Sequence, residues 1–238
     1  MATETRPAIL VSGASRGLGR QLVESFSVRG DLVVGLARSA STFDHPNYIH
    51  HQADVTIEAE VKAVMAALAG HGLHLETCIN NAGIAAGGLA LMTSANTFSD
   101  VLTANLVSAF VVSRESLKLM KRRKFGRIIN MSSINVPLAS AGGSAYNASK
   151  AGVEAMARTL VNEISAHEDI TINTLGLSIV AGSGMAEALS ATAAAAKTAH
   201  LPRPALLQIE EIVHAIDFLR SPSARNFSGQ TLYFGGVG

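Results

Sequence analysis

The chain is short of cysteine and of aromatics: one Cys, no Trp, three Tyr and eight Phe among 238 residues. A single thiol, Cys78, excludes an intrachain disulfide framework. Its place in an apolar run reads as a buried structural thiol rather than a reactive one. Charged residues make up only 16% of the chain and nearly half of it is apolar, which excludes a disordered or fibrous protein. The net charge of +1 favours no class of partner, and no basic array with stacking aromatics marks a nucleic-acid reader. No apolar run approaches the length of a membrane span, so no membrane is expected. The first residues, Met1 to Pro7, have no hydrophobic signal core, and cytoplasm is the expected compartment. The eight histidines are scattered without zinc-ligand spacing, so no metal is expected either.

What is present is an alternation. Apolar strand-like runs at Ala8 to Ser12, Leu32 to Leu36, Tyr48 to Gln52, Leu75 to Ile79, Arg127 to Met131, Ile170 to Leu175 and Thr231 to Phe234 are separated by helical patterns. This predicts an α/β fold: a Rossmann-type, doubly wound parallel sheet of about seven strands, covered on both faces. Right-handed crossovers put the loops after the strands along one edge, where such sheets bind ligands. No repeat or linker divides residues 1–238, so a single domain is expected. Only the stretch from about Ala181 to Leu206, with Pro202 and Pro204, is irregular enough to be an extra lobe, and it reads as a flap over the cleft.

Three motifs lie on the expected ligand edge. After the first strand comes Gly13-Ala14-Ser15-Arg16-Gly17-Leu18-Gly19, followed by an amphipathic helix, Arg20 to Val28. Glycines let the backbone turn tightly against a pyrophosphate, and the free amides of a helix start face its charge. After the fourth strand comes Asn80-Asn81-Ala82-Gly83, and the fifth strand ends in Met131-Ser132-Ser133. Thirteen residues beyond Ser133, in a helical segment, Tyr146 and Lys150 stand four apart and share one face. A free phenol titrates near pH 10, and a fixed cation beside it favours the phenolate. Such a pair is a proton donor with its tuner.

This order of motifs resembles the short-chain dehydrogenase/reductase family over essentially the whole chain. The tail Phe227 to Gly236 and the stretch Gly126 to Ser133 most resemble the branch of 3-oxoacyl-[acyl-carrier-protein] reductases. The resemblance implies Tyr146 as proton donor and Lys150 as its tuner and a ligand of the nicotinamide ribose. Ser133 would hydrogen-bond the carbonyl oxygen as charge develops, with Ser132 as the adjacent alternative. Asn105 would hold a water that links Lys150 to solvent. Asp54 would accept from the adenine amino group with Val55 packed nearby; alternatively Asp54 caps the helix that follows. Asn81, Ala82 and Gly83 would run along the adenosine ribose, or simply form a strand-ending turn, and Asn80 would serve sheet geometry.

The second strand ends in Arg38-Ser39 without an acidic residue to accept from a ribose hydroxyl, and Arg16 in the glycine turn supplies a second guanidinium. Two planar forks converging on one phosphate favour NADP(H). After the sixth strand the chain departs from the family: Leu177 and Ser178 stand where Pro-Gly is common, and Gly182 where a Thr is common. Val180 is left to offer its backbone amide and carbonyl to the nicotinamide. The implied activity is NADPH-dependent reduction of a 3-oxoacyl thioester. The alternatives are reduction of a free small ketone or polyketide intermediate, and a weakly catalytic NADP-binding sensor or subunit. The basic run Lys121-Arg122-Arg123-Lys124 would dock an acidic acyl carrier protein, or else only complement a helix dipole. The helices from about Ala95 to Lys121 and Ala145 to Ile164 would pair subunits into a homotetramer.

Overall fold

The computed structural model describes residues 6–164, 166–184 and 198–237. Seven strands form one wholly parallel sheet, β3-β2-β1-β4-β5-β6-β7. They are β1 (Pro7–Ser12), β2 (Leu32–Ala37), β3 (Tyr48–Gln52), β4 (His74–Asn80), β5 (Phe125–Ser133), β6 (Asp169–Leu177) and β7 (Thr231–Tyr233). Every apolar run expected to be a strand is one.

The period of two in β1 explains the layering. Ala8 and Leu10 point into one core cluster, and Ile9 and Val11 into the other. The first cluster is completed by α2 (Glu58–Gly70), α4 (Ser108–Arg123) and α6 (Ser144–Asn162), which follow α1 (Gly17–Val28), α3 (Ala95–Leu102) and α5 (Asn135–Leu138) in the chain. Leu22, Val23 and Phe26 of α1 and Ile212, Val213, Ile216 and Leu219 of α7 (Ile209–Arg220) complete the second. Both faces are dry, which is why the central strands are apolar throughout. The strand order reverses between β1 and β4, the place where sheets of this kind bind ligands at the C-terminal strand ends. The glycine turn and Asn80 to Gly83 flank it.

Ser133 and Leu177 are not loop residues. β5 and β6 pair over nine rows, from Phe125 with Asp169 to Ser133 with Leu177. Proline at 177 would have no N–H and would end a central strand; leucine lets it continue. The helix after the glycine turn starts at Gly17, three residues earlier than the amphipathic pattern suggested.

One expectation from composition needs correction. The continuous helical stretch Ala95–Arg123 is, by length and mean hydropathy, long and apolar enough to cross a membrane. Its α4 part packs Val111, Val112 and Met120 into the sheet's core, while Val107 and Phe110 of the same stretch are exposed. Between α3 and α4 the stretch contains a π-turn, Thr103–Val107.

The expected flap is only partly in view, because residues 185–197 lie outside the described residues. Its two ends are tied to each other. The Ala181 amide donates to the Leu207 carbonyl at 2.9 Å, and the Leu207 amide to the Ile179 carbonyl at 2.9 Å.

Candidate active site

The ends of β1 and β4 are buckled together by a residue that the motifs did not single out. Ser12 Oγ accepts from the amides of Asn81 and Ala82, both at 3.1 Å. Asn81 returns the contact, its Nδ2 donating to the Ser12 carbonyl at 3.0 Å and the Gly13 carbonyl at 3.3 Å. The Asn81 amide nitrogen is therefore engaged in holding the glycine turn. Gly13 takes φ of +71°, and a Cβ there would sit 2.9 Å from Ala82 Cα. At Gly19 a Cβ would lie 2.2 Å from the Gly13 carbonyl oxygen. No larger residue fits either position.

No side chain caps α1, whose N-cap is Arg16, and no acidic residue lies in its first turn. The amides at Ser15 to Gly19 are thus open to an anion, as a dinucleotide's pyrophosphate requires. Arg16 and Arg38 are exposed, and among the described residues neither has an ion-pair partner. Asp54 is near enough to feel Arg38. Burial resists its ionisation, but hydrogen bonds from the Thr56 amide and hydroxyl, together with Arg38, hold its carboxyl below the usual range. Those two bonds, at 2.9 and 2.7 Å, make a turn ahead of α2. The N-cap of α2 is Ile57, so Asp54 is not the helix cap. Val55 is buried beside it. The residues present fit a nicotinamide dinucleotide: open amides, two unpaired guanidinium groups and an acceptor at the adenine end.

Four side chains gather where β5 ends. Tyr146 lies in the first turn of α6, with Ser133 beside it. Burial raises the phenol's pKa, and the Ser133 hydroxyl opposes the rise. Lys150, one turn further, has its Nζ 5.7 Å from the Tyr146 ring and donates to the Met131 carbonyl at 2.8 Å. Its own pKa is pulled down to about 8 by burial. Burial is thus the larger influence on the phenol, with the Ser133 hydroxyl acting against it. Ser132 is excluded as carbonyl partner, since its hydroxyl donates to Glu154 at 2.5 Å. Ser133 Oγ accepts from the Asn135 amide at 3.2 Å and faces Tyr146.

Asn105 sits in the π-turn, fully buried. Its Oδ1 accepts from the Ile84 amide at 2.7 Å, and its Nδ2 donates to the Ile84 carbonyl and to Ser149 Oγ at 3.0 and 2.9 Å. Both amide hydrogens of the side chain are thus used, while Oδ1 keeps a second lone pair and the helix slip frees backbone carbonyls in this turn, so a water has acceptors here. Gly83 completes the enclosure, because a Cβ there would meet Asn105 Oδ1 at 2.8 Å and Lys150 Nζ at 3.7 Å. Val180 differs from expectation in one half. Its carbonyl already accepts from the Ser183 amide and hydroxyl, at 3.2 and 2.7 Å, so only its amide remains to offer.

Asn80 begins a buried chain of amides across the sheet. Its Nδ2 donates to Ser113 Oγ at 2.7 Å and Asn130 Oδ1 at 2.8 Å. Asn130 donates to the Asn173 carbonyl at 3.4 Å, and Asn173 in turn donates to the Phe227 carbonyl at 2.7 Å. Cys78 is fully buried next to this chain, and burial pushes its thiol up to about 12.

A cavity of about 420 Å³ is lined by Ala90, Val136 and Ala139 to Gly142 and by Ser144, Asn147, Ala148 and Ala151 of α6. None of Ser133, Tyr146 and Lys150 lines it. The basic run lies at the end of α4 with all four side chains exposed. Lys121 Nζ donates to the Glu163 carbonyl at 3.4 Å and lies 4.0 Å from Glu168. Among the described residues, Arg122, Arg123 and Lys124 show no such contact.

Residues 7–194 match the family model described as short chain dehydrogenase. The 3-oxoacyl-[acyl-carrier-protein] reductase of Vibrio cholerae is 32% identical over 233 residues, which is 95% of each chain. That of Escherichia coli K12 is 30% identical with the same coverage. A crystal structure provisionally described as a gluconate dehydrogenase from Agrobacterium tumefaciens superposes with a TM-score of 0.87 at 28% identity, covering 97% of this chain and 94% of that one. A 4-hydroxyisoleucine dehydrogenase complexed with NADH shares the fold, with a TM-score of 0.83 at 23% identity and 98% coverage of both chains.

Proposed function

The chain belongs to the short-chain dehydrogenase family of oxidoreductases, and from that premise we propose that it reduces a ketone to a secondary alcohol with NADPH, the ketone being a 3-oxoacyl thioester. The observation that carries this reading is the group at the end of β5: Tyr146 with Ser133 beside it and Lys150 one turn on, at the sheet edge that also carries the glycine turn. A nicotinamide dinucleotide, when bound, supplies the hydride.

The chain's own residues do the rest. The open amides of α1 hold the pyrophosphate, and Arg16 and Arg38 pair with a 2′-phosphate. Ser133 donates to the carbonyl oxygen as it becomes negative, a contribution worth about 100-fold or more in rate. Tyr146, which burial keeps protonated, gives its proton to the same oxygen. Lys150 leaves the Met131 carbonyl for the ribose hydroxyls and places its charge near the phenolate that results. The relatives named as 3-oxoacyl reductases support the thioester as substrate. A carrier protein would dock at Arg122 to Lys124, and the enzyme would work as a cytoplasmic homotetramer.

A second reading is favoured by the likeness to a protein described as a gluconate dehydrogenase: the substrate is a free small ketone or hydroxy acid. The weakly catalytic alternative is disfavoured by the presence of Asn105, Ser133, Tyr146 and Lys150 together. NADPH oxidation measured over a panel of 3-oxoacyl thioesters and free ketones decides. Turnover of the thioesters at least roughly tenfold better than of the free ketones is expected; the reverse order would transfer the assignment to the second reading.

A further inference from the structure

Glu154 is a buried carboxylate with no part in the chemistry above. It stands on α6 four residues beyond Lys150, on the same helix face, and is 6% exposed. Both of its oxygens are bonded. Oε1 accepts from Ser132 Oγ at 2.5 Å and Oε2 from the Tyr233 hydroxyl at 2.7 Å. The two donors belong to a single row of the sheet, in which Ser132 pairs with Gly176 and Gly176 with Tyr233. Gly176 is what lets them meet. The Tyr233 ring lies over it, so a Cβ at 176 would be 2.1 Å from the Tyr233 ring. Burial and the adjoining carboxylate both push the Tyr233 phenol's pKa up, so it remains a donor.

The next row toward the site is Ser133 with Leu177. Beyond Leu177 comes Ser178, and beyond Tyr233 come Phe234, whose amide donates to the Gly176 carbonyl at 2.9 Å, and Gly235, whose carbonyl accepts from Arg203 at 3.1 Å. Two strands, β5 and β7, are thus tied to one carboxylate across β6, which pairs with both. A buried carboxylate is costly unless its acceptors are filled, and here the sheet supplies both donors.

We propose that Glu154, Ser132 and Tyr233 form a clasp that positions Ser133 and the turn after Leu177 for reaction. They are positioning residues, acting through the strand ends and not on substrate. The rate half of the argument rests on the reductase reading; the structural half does not.

Tyr233→Phe tests it, because the ring over Gly176 stays and only the hydroxyl goes. The expected result is a fall in kcat of about tenfold with KM for the cofactor within about twofold. Amide hydrogen exchange should quicken at 131–136 and 176–180 while α2 and β3 keep wild-type protection. Ser132→Ala should behave alike, and the double variant should be no worse than about the worse single, as members of one network are not additive. Glu154→Gln, which keeps an acceptor and the shape, should recover most of the rate lost in Glu154→Leu. Wild-type kcat and exchange in Tyr233→Phe would overturn the proposal. So would a loss that comes with faster exchange over the whole sheet, the mark of general destabilisation. If the wild-type protein reduces none of the ketones, the reductase reading fails, and the exchange pattern still decides the clasp.

Discussion

The ammonium of Lys150 is hydrogen-bonded to the backbone carbonyl of Met131, two residues before Ser133. The bond docks a buried cation on the strand that bears the carbonyl partner. Burial lowers the lysine's pKa from 10.5 to about 8. Below pH 8 both folded and unfolded chains hold the proton, and the folded chain bears the full cost of hiding the charge. Between about 8 and 10.5 the folded chain has released a proton that the unfolded chain keeps, so stability rises with pH. Lys150→Met should therefore raise the unfolding midpoint of the cofactor-free protein at pH 7 by several degrees. Its advantage over wild type should shrink through that window. Thermal melts at pH 7, 9 and 10.5 check this, and a constant difference would show that the lysine is not held against its charge.

Tyr146→Phe should lower turnover by at least about 100-fold while changing the NADPH dissociation constant, read by fluorescence titration, by no more than about twofold. The phenol that burial keeps protonated is the only group this change removes. A variant with most of its rate would take the proton donor's role from Tyr146.

Arg38→Asp should raise the KM for NADPH by roughly tenfold or more and narrow or invert the preference over NADH. Its guanidinium is exposed and lacks an ion-pair partner among the described residues, so it is available to a phosphate. Equal use of both cofactors by the wild-type protein would show that the arginines serve another end.

Leu89, Leu91 and Met92 ahead of α3 and Val107 and Phe110 at the start of α4 are exposed, Leu91 almost wholly. Exposed large apolar side chains of this kind motivate the expectation of an assembly. Light scattering should give about four times the 24.7 kDa chain mass, and Phe110→Glu should lower it. A wild-type mass near one chain at micromolar concentration would contradict the tetramer.

Reversing Arg123 and Lys124 to Glu should raise KM several-fold for a carrier-bound substrate and leave that of a short free thioester unchanged. The effect should fade with salt. Equal effects on both substrates, or none on the carrier-bound one, would reduce the basic run to a helix end whose cations complement the dipole.

The sheet was legible because its strands are short apolar runs between glycine turns and helical patterns, and the glycine turn because Gly13 and Gly19 have no steric substitute. Tyr146, Lys150 and Ser133 were legible from spacing. Three features were not. The role of Ser12 depends on β4 lying beside β1, which no local pattern states. The clasp joins residues 22 and 79 apart in sequence, and Glu154 reads there as an ordinary helix residue. The π-turn at Asn105 accompanies side-chain bonds to Ile84 and Ser149, tertiary contacts that no local pattern states. Leu177 misled in a different way. Its place where the family commonly has proline gave no sign that it adds one more row of sheet pairing, at Ser133 itself.

The amide chain from Asn80 through Asn130 to Asn173 makes the order of substitutions matter. Leucine at Asn130 alone would strand a buried donor on Asn80, at a cost of roughly 1–3 kcal/mol, whereas apolar residues at Asn80, Asn130 and Ser113 remove that donor together with both of its acceptors. A single-site scan would therefore report each position as immutable, while a library that varies them together would find working sequences. The path between those sequences crosses a valley, and the sheet's polar seam can be redesigned only by changing these positions together.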